Sequence, residues 1–269
     1  MLAALAVIAA FSCARKPPTL VIGRIVLAAP AAFDHEAGRT EALRSALAAR
    51  LDQDATVDWR PKSNSPTHVL HVEVGEVLDR MGDAEDTVPV TVRLQPTHKG
   101  ALYAASGRGL PLADAVSSAL VGFDDAWAVV SEQRRLDVAD DARMIIMLKH
   151  PDPRLRGFAI ERLGERKARA AVEPLCELLG KEPEQELVLR TVGSLVAIRD
   201  SRAVEPLIDL TRHKDPQFVV QVIFALSTIG GTTAEAYLVT LASGHPLEAV
   251  RRSAEDALAE MQHREAPAK

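Results

Sequence analysis

The sequence predicts an α+β chain, a small mixed or antiparallel sheet with two helices followed by an all-α solenoid of about four helix pairs. Two patterns carry this reading. The pentapeptide Ala-Val-Glu-Pro-Leu occupies residues 171–175 and returns at 203–207, a step of 32 residues, and a degenerate copy, Ala234-Glu-Ala-Tyr-Leu238, follows 31 residues later. Self-similarity at that period marks helical units that bury their apolar sides only by stacking on neighbours. Ahead of the repeats, residues 69–78 and 87–95 alternate apolar and polar side chains, the period of a half-buried strand. The two patterns do not overlap. The chain therefore divides into a signal-like segment (1–13), a linker (14–18), an α/β domain (19–135), a repeat array (136–262) and a tail (263–269).

From the N-terminus, Leu2 to Phe11 is an almost unbroken apolar run, followed by Ser12-Cys13-Ala14 and the basic pair Arg15-Lys16. A run this short cannot cross a hydrocarbon core of roughly 30 Å, but it suits the apolar stretch of a signal peptide. Ala10-Phe-Ser-Cys13 resembles a bacterial lipoprotein box, in which the cysteine is diacylated after cleavage. Two departures stand out: Ala10 occupies the place usual for leucine, and no Lys or Arg precedes the run. The resemblance implies a lipid anchor at Cys13 and a cell-envelope location facing the periplasm, the outer membrane ahead of the inner. Ordinary secretion with cleavage after Ala14, or a buried N-terminal helix with an unreactive cysteine, remain as alternatives.

In the α/β domain, residues 21–29 read as a strand and 36–51 as a helix with Leu43, Leu47 and Leu51 on one side. Short strand signals follow at 56–59, then the alternating strands 69–78 and 87–95, joined by a hairpin loop through the acidic stretch 79–86. Residues 102–106 give a last strand, and 111–135 a long helix leading into the repeats. The order β-α-β-β-β-β-α places the helices on one face of the sheet. Ile25-Val-Leu-Ala-Ala-Pro30, Thr67-His-Val-Leu-His-Val-Glu-Val74 and Val90-Thr-Val-Arg-Leu94 together resemble the small domain of envelope lipoproteins of the CsgG/TolB N-terminal type. That resemblance implies a periplasmic module that docks on other envelope proteins.

The repeat array has a second limb. Leu163, Leu195, Leu226 and Leu258 stand 32, 31 and 32 residues apart. Eight residues before each is an apolar side chain (Leu155, Leu187, Phe218, Val250), and four before is a small or β-branched one (Ala159, Thr191, Val222, Ala254). Positions four apart share a helical face, so each segment carries one packed stripe. Proline breaks at 150–153, 181–183, 214–216 and 244–246 open the second helix of each pair. The pairs read 136–150 with 153–165, 168–181 with 184–199, 202–214 with 216–229, and 233–243 with 246–262. The residues Asp152-Pro-Arg-Leu-Arg156, Leu163-Gly164, Asp200-Ser-Arg-Ala-Val204, Ala225-Leu-Ser-Thr-Ile-Gly230 and Ala249-Val-Arg251 are similar to the HEAT-repeat family, specifically the short HEAT-like repeats also found in phycobilisome lyases. The family's second-helix arginine stands only at Arg156 and Arg251; Val188 and Val219 replace it in the middle units.

Composition and motifs argue against most chemistries. Net charge is −5, without the concentrated positive field that nucleic acid demands. Cys13 and Cys176 cannot build a disulfide framework, and Cys176 reads as a small buried hydrophobe. His68 and His71 are three apart on a strand and point to opposite faces, so they do not share a metal. Gly107-Arg-Gly109 has the start of a dinucleotide fingerprint, but Leu112 takes the place of its third glycine, which leaves a turn. No Gly-x-Ser-x-Gly elbow and no His-Glu-x-x-His occurs. Neither a catalytic residue, a metal nor a cofactor is expected.

Partner recognition is the remaining expectation. In HEAT-type arrays the second helices usually line the concave side. Positions nine, six and two before each reference leucine fall opposite the packed stripe: Arg154, Gly157, Glu161; Glu186, Leu189, Gly193; Gln217, Val220, Phe224; Ala249, Arg252, Asp256. Leu189, Gly193, Val220 and Phe224 form an apolar centre, and Arg154 and Arg252 a charged rim, the common build of a recognition surface. The function expected is an envelope-anchored, non-catalytic adaptor that binds proteins with this face. The alternative is an accessory or lyase-like enzyme with a small-molecule pocket between the domains.

Overall fold

The computed structural model describes residues 19–33, 38–76, 78–80, 84–110, 114–212 and 215–265. They form two compact units, divided between Ala139 and Asp140. The signal-like segment and Cys13 lie outside the described residues.

The first unit is built on a five-stranded sheet of order β2-β1-β3-β6-β7. Strands β1 (Leu20–Ala28), β2 (Val57–Trp59) and β3 (His68–Val74) run parallel to one another, while β6 (Pro89–Pro96) and β7 (Tyr103–Arg108) continue the sheet antiparallel. The mixed character follows from the connections. Helix α1 (Arg39–Gln53) carries the chain back to the start of the sheet between β1 and β2, whereas the antiparallel neighbours β3 and β6, and β6 and β7, are joined without a crossover helix. Two further strands, β4 (Leu78–Arg80) and β5 (Ala84–Thr87), pair as a separate hairpin, so the acidic stretch forms strand arms where the sequence suggested a loop.

Alternation fixes which face is covered. Leu70, Val72 and Val74 of β3 and Val90, Val92 and Leu94 of β6 are buried, while Glu73, Arg93 and Gln95 are exposed. Onto the buried face pack α1, through Leu43, Leu47 and Leu51, and α2 (Ala115–Asp137), through Phe123, Ala126 and Val130. Asp114 caps α2 by accepting from the backbone N–H groups of Val116 and Ser117. Trp127 donates its indole N–H to Asp54 at 2.8 Å and so ties α2 to the end of α1.

Gly107 and Gly109 do not make the turn expected of them. Gly107 is a strand residue paired with Val90. A Cβ there would stand 2.0 Å from the carbonyl oxygen of Gly122, and one at Gly109 would stand 2.3 Å from that of Ser118. The glycines let α2 lie directly on β7, a close backbone approach that no side chain permits.

In each helix pair of the second unit the first helix is the shorter. The first helices are α3 (Asp141–Met147), α5 (Val172–Leu179), α7 (Val204–Thr211) and α9 (Thr232–Gly244); their longer partners are α4 (Pro153–Glu165), α6 (Gln185–Ile198), α8 (Pro216–Ile229) and α10 (Glu248–Glu265). The first pair differs from expectation, because residues 136 and 137 finish α2 and α3 begins only at Asp141. Long helices stack on long ones, α4 on α6, α6 on α8 and α8 on α10, while α5 meets α7 and α7 meets α9. Every stripe residue named from the sequence is buried except Leu258, which is half-buried.

Candidate functional site

The second-helix row uses two recurring devices, an Asp-Pro start and a turn-binding arginine, each in two of the four units. Asp152 and Asp215 cap α4 and α8, each accepting from a backbone N–H of the first turn, with proline at the start of the helix. Arg156 donates to the carbonyl oxygens of His150 and Pro151, at 3.0 and 3.1 Å. Arg251 repeats the arrangement on His245 and Pro246, at 2.7 and 3.1 Å. Each arginine thus ties its helix to the proline turn that opens it. In the middle units the corresponding Val188 and Val219 are buried among apolar neighbours.

Arg156 reaches further. Its guanidinium meets both carboxylate oxygens of Glu182 at 2.9 Å, a bidentate pair in which the side chains are 12% and 1% exposed. Glu182 stands 32 residues after His150, at the same place in the next repeat. The pair therefore links neighbouring units, and hydrogen bonding to Glu182 holds the Arg156 pKa above its ordinary value.

Packing between long helices sets which positions face outward. Ser194 of α6 donates to the carbonyl oxygen of Ile160 at 2.8 Å, and Gly164 sits against Ser194. Gly157, expected to face outward, is buried in this seam. A Cβ at Gly157 would come within 3.1 Å of Leu187 Cδ2 and 3.5 Å of Arg190 Nη1. Of the three α4 positions expected to face outward, Glu161 is exposed, Arg154 is half-buried and Gly157 is buried, because α4 turns that side toward α6.

The middle of the row is open. Phe224 of α8 is 60% exposed although Ile223 beside it is buried. Leu189 and Val220 are half-buried, Gly193 is exposed, and a Cβ at Gly193 would meet nothing within 4 Å. The outer positions hold local ion pairs. Arg154 binds the capping Asp152 at 2.6 Å, Arg252 binds Glu248 on its own helix, and Arg190 joins Glu161 of α4 to Glu186 of α6.

The α/β unit carries a feature that the sequence did not signal. A cleft of about 770 Å³ opens at one end of the sheet, among residues 64–68, 96–101 and 134–138 with Tyr103. It brings together His68, Arg134 and Asp137, the convergence asked of an enzyme pocket, but within one unit. His68 contacts Thr67 Oγ1 at 2.9 Å through Nδ1, and burial, reinforced by the Arg134 charge, holds its pKa below the ordinary value. The Thr67 hydroxyl is already tied to both the N–H and the C=O of Val21, which makes it a strand fastener. His71 lines a different, shallower hollow with Arg93 and His98. Cys176 is half-buried, and desolvation pushes its thiol up to about 11. Among the described residues, no three His, Cys, Asp or Glu side chains are placed to hold a metal ion.

The comparisons bear on the helical unit alone. No curated protein matches the chain. A family model described as HEAT repeats matches residues 141–227, from the first residue of α3 into the last turn of α8. The first three helix pairs of the second unit, α3 to α8, are the part of the chain that is similar to HEAT repeats.

Proposed function

We propose that the protein is a non-catalytic adaptor of the bacterial cell envelope, held to a membrane by a lipid on Cys13, which captures a protein partner on its second-helix row. HEAT repeats commonly serve as protein-interaction scaffolds, and the row has the make-up of a recognition surface. One observation carries the reading: Phe224 is a large aromatic left 60% exposed in a helix where Phe218, Val219, Val222, Ile223 and Leu226 are buried. An exposed aromatic flanked by half-buried Leu189 and Val220 offers the anchor that dominates many interfaces. The lipid anchor rests on the resemblance of Ala10-Phe-Ser-Cys13 to a lipoprotein box.

Phe224→Ala tests the reading. The substitution is expected to leave the melting temperature within the range of surface changes, and to cost roughly 2 kcal/mol or more of partner affinity. Crosslinking in envelope preparations, with the exposed Lys181→Ala as control, should give bands present in wild type and control and absent in Phe224→Ala. Identical bands in all three would remove this face from consideration.

A further inference from the structure

The adaptor reading makes no use of the cleft in the α/β unit. Its size lies within the range of small-molecule sites, and its lining is mixed in character. Two cationic side chains contribute, Arg134 from α2 and Lys99 from the loop after β6. Pro66, Pro96 and Tyr103 add apolar surface to the same lining. We propose that this cleft binds a small organic oxyanion, a carboxylate or phosphate head on an apolar body.

Charge placement supports an anion. Asp137 is the only acidic side chain lining the cleft among the described residues, and it accepts the Tyr103 hydroxyl at 3.0 Å. Arg134 is 7% exposed, so its guanidinium is largely shielded from water. A shielded cation interacts more strongly with an incoming anion than a solvated one does, because less water screens the pair. Lys99 is exposed and adds a second cation to the lining. The floor is rigid, since Thr97 donates its hydroxyl to Pro66 O at 2.6 Å and its backbone N–H to Thr67 O at 2.9 Å. A ligand would meet a formed site and would not have to order one.

Calorimetric titration and amide chemical-shift mapping on the full chain test this, with phenyl phosphate, benzoate and benzyl alcohol as probes. At least one of the two anions should saturate, with shifts centred on Thr67, His68, Thr97 and Gly100, and the tighter of the two identifies the head group. Benzyl alcohol, which keeps the body and lacks the charge, should not saturate. Lys99→Glu should weaken the anion about tenfold, the effect of roughly one charge-assisted contact, without moving the melting temperature. Arg134→Gln should abolish binding, and if that buried change unfolds the unit, Lys99→Glu still decides the matter. Absence of saturation by both anions, equal shifts with benzyl alcohol, or an unchanged affinity in Lys99→Glu would each overturn the proposal.

Discussion

Leu195 has no exposed surface, and Leu163 and Leu226 hold the same place in the neighbouring repeats. Leu195→Ala is expected to cost about 2–5 kcal/mol, the range for emptying a packed aliphatic site. The loss should spread to both adjacent units, because repeats stabilise one another through their shared faces. Thermal unfolding followed by circular dichroism reads the size of the effect, and a shift no greater than that of a surface alanine would contradict the packing. Single residues of this kind were legible in the sequence because the repeat prints each of them several times. Gly157 shows the limit. Its spacing from Leu163 says outward, but α4 and α6 approach closely there, and which side of a helix meets the next helix is not encoded in one helix's own period. Arg134 and His68 were less legible still, since their cleft draws on segments that are separated in sequence and meet only in the folded sheet.

Among the elements, the proline turns and their arginines differ most from a uniform repeat. Arg156 and Arg251 hold the turn carbonyls of their own units, and Arg156 also grips Glu182 of the next. Arg156→Val leaves Glu182 buried without its cation and should cost about 3–5 kcal/mol, as breaking one partner of a buried ion pair does. The array supplies its own remedy, since Val188 and Val219 occupy that position in the middle units. Combining Arg156→Val with Glu182→Leu should recover most of the loss in a chemical denaturation series. If the double variant is as unstable as the single one, the turn carbonyls and not Glu182 are what need the arginine. Most helices and the strands of the main sheet could be read from period and proline placement, whereas the stretch that makes the short arms β4 and β5 reads as a loop. The β7 glycines could not, because a glycine that ends a strand and one that admits a helix look alike until the helix is seen lying against it.

At the scale of the molecule, the sequence divides into the same two kinds of unit that the structure describes, because strand alternation and a repeat of about 32 residues are incompatible patterns that cannot overlap. Among the described residues no helix is long and apolar enough to cross a membrane. The membrane attachment proposed for the protein rests on the resemblance around Cys13 to a lipoprotein box. Cys13→Ala should transfer the protein from the membrane fraction to the soluble periplasmic fraction, with the melting temperature of the folded units unchanged. One acyl chain gives only marginal binding, so stable attachment would need the several chains of a bacterial lipoprotein. Fractionation followed by mass determination of the mature N-terminus checks both points, and an unmodified cysteine in a membrane-bound protein would remove the anchor from the account.

The seam between α2 and β7 has a consequence for how this sequence can drift. Gly107 and Gly109 each face main-chain atoms of α2, and Gly122 faces back toward Gly109 and Val90. A methyl group gained at Gly107 or Gly109 would press against main-chain atoms at 2.0 and 2.3 Å, where no rotamer change gives relief, while one at Gly122 would meet its nearest atom at 3.0 Å and ask only a small shift. Substitution at either strand-side glycine therefore requires the helix to lift, and the sheet would then carry a different lid.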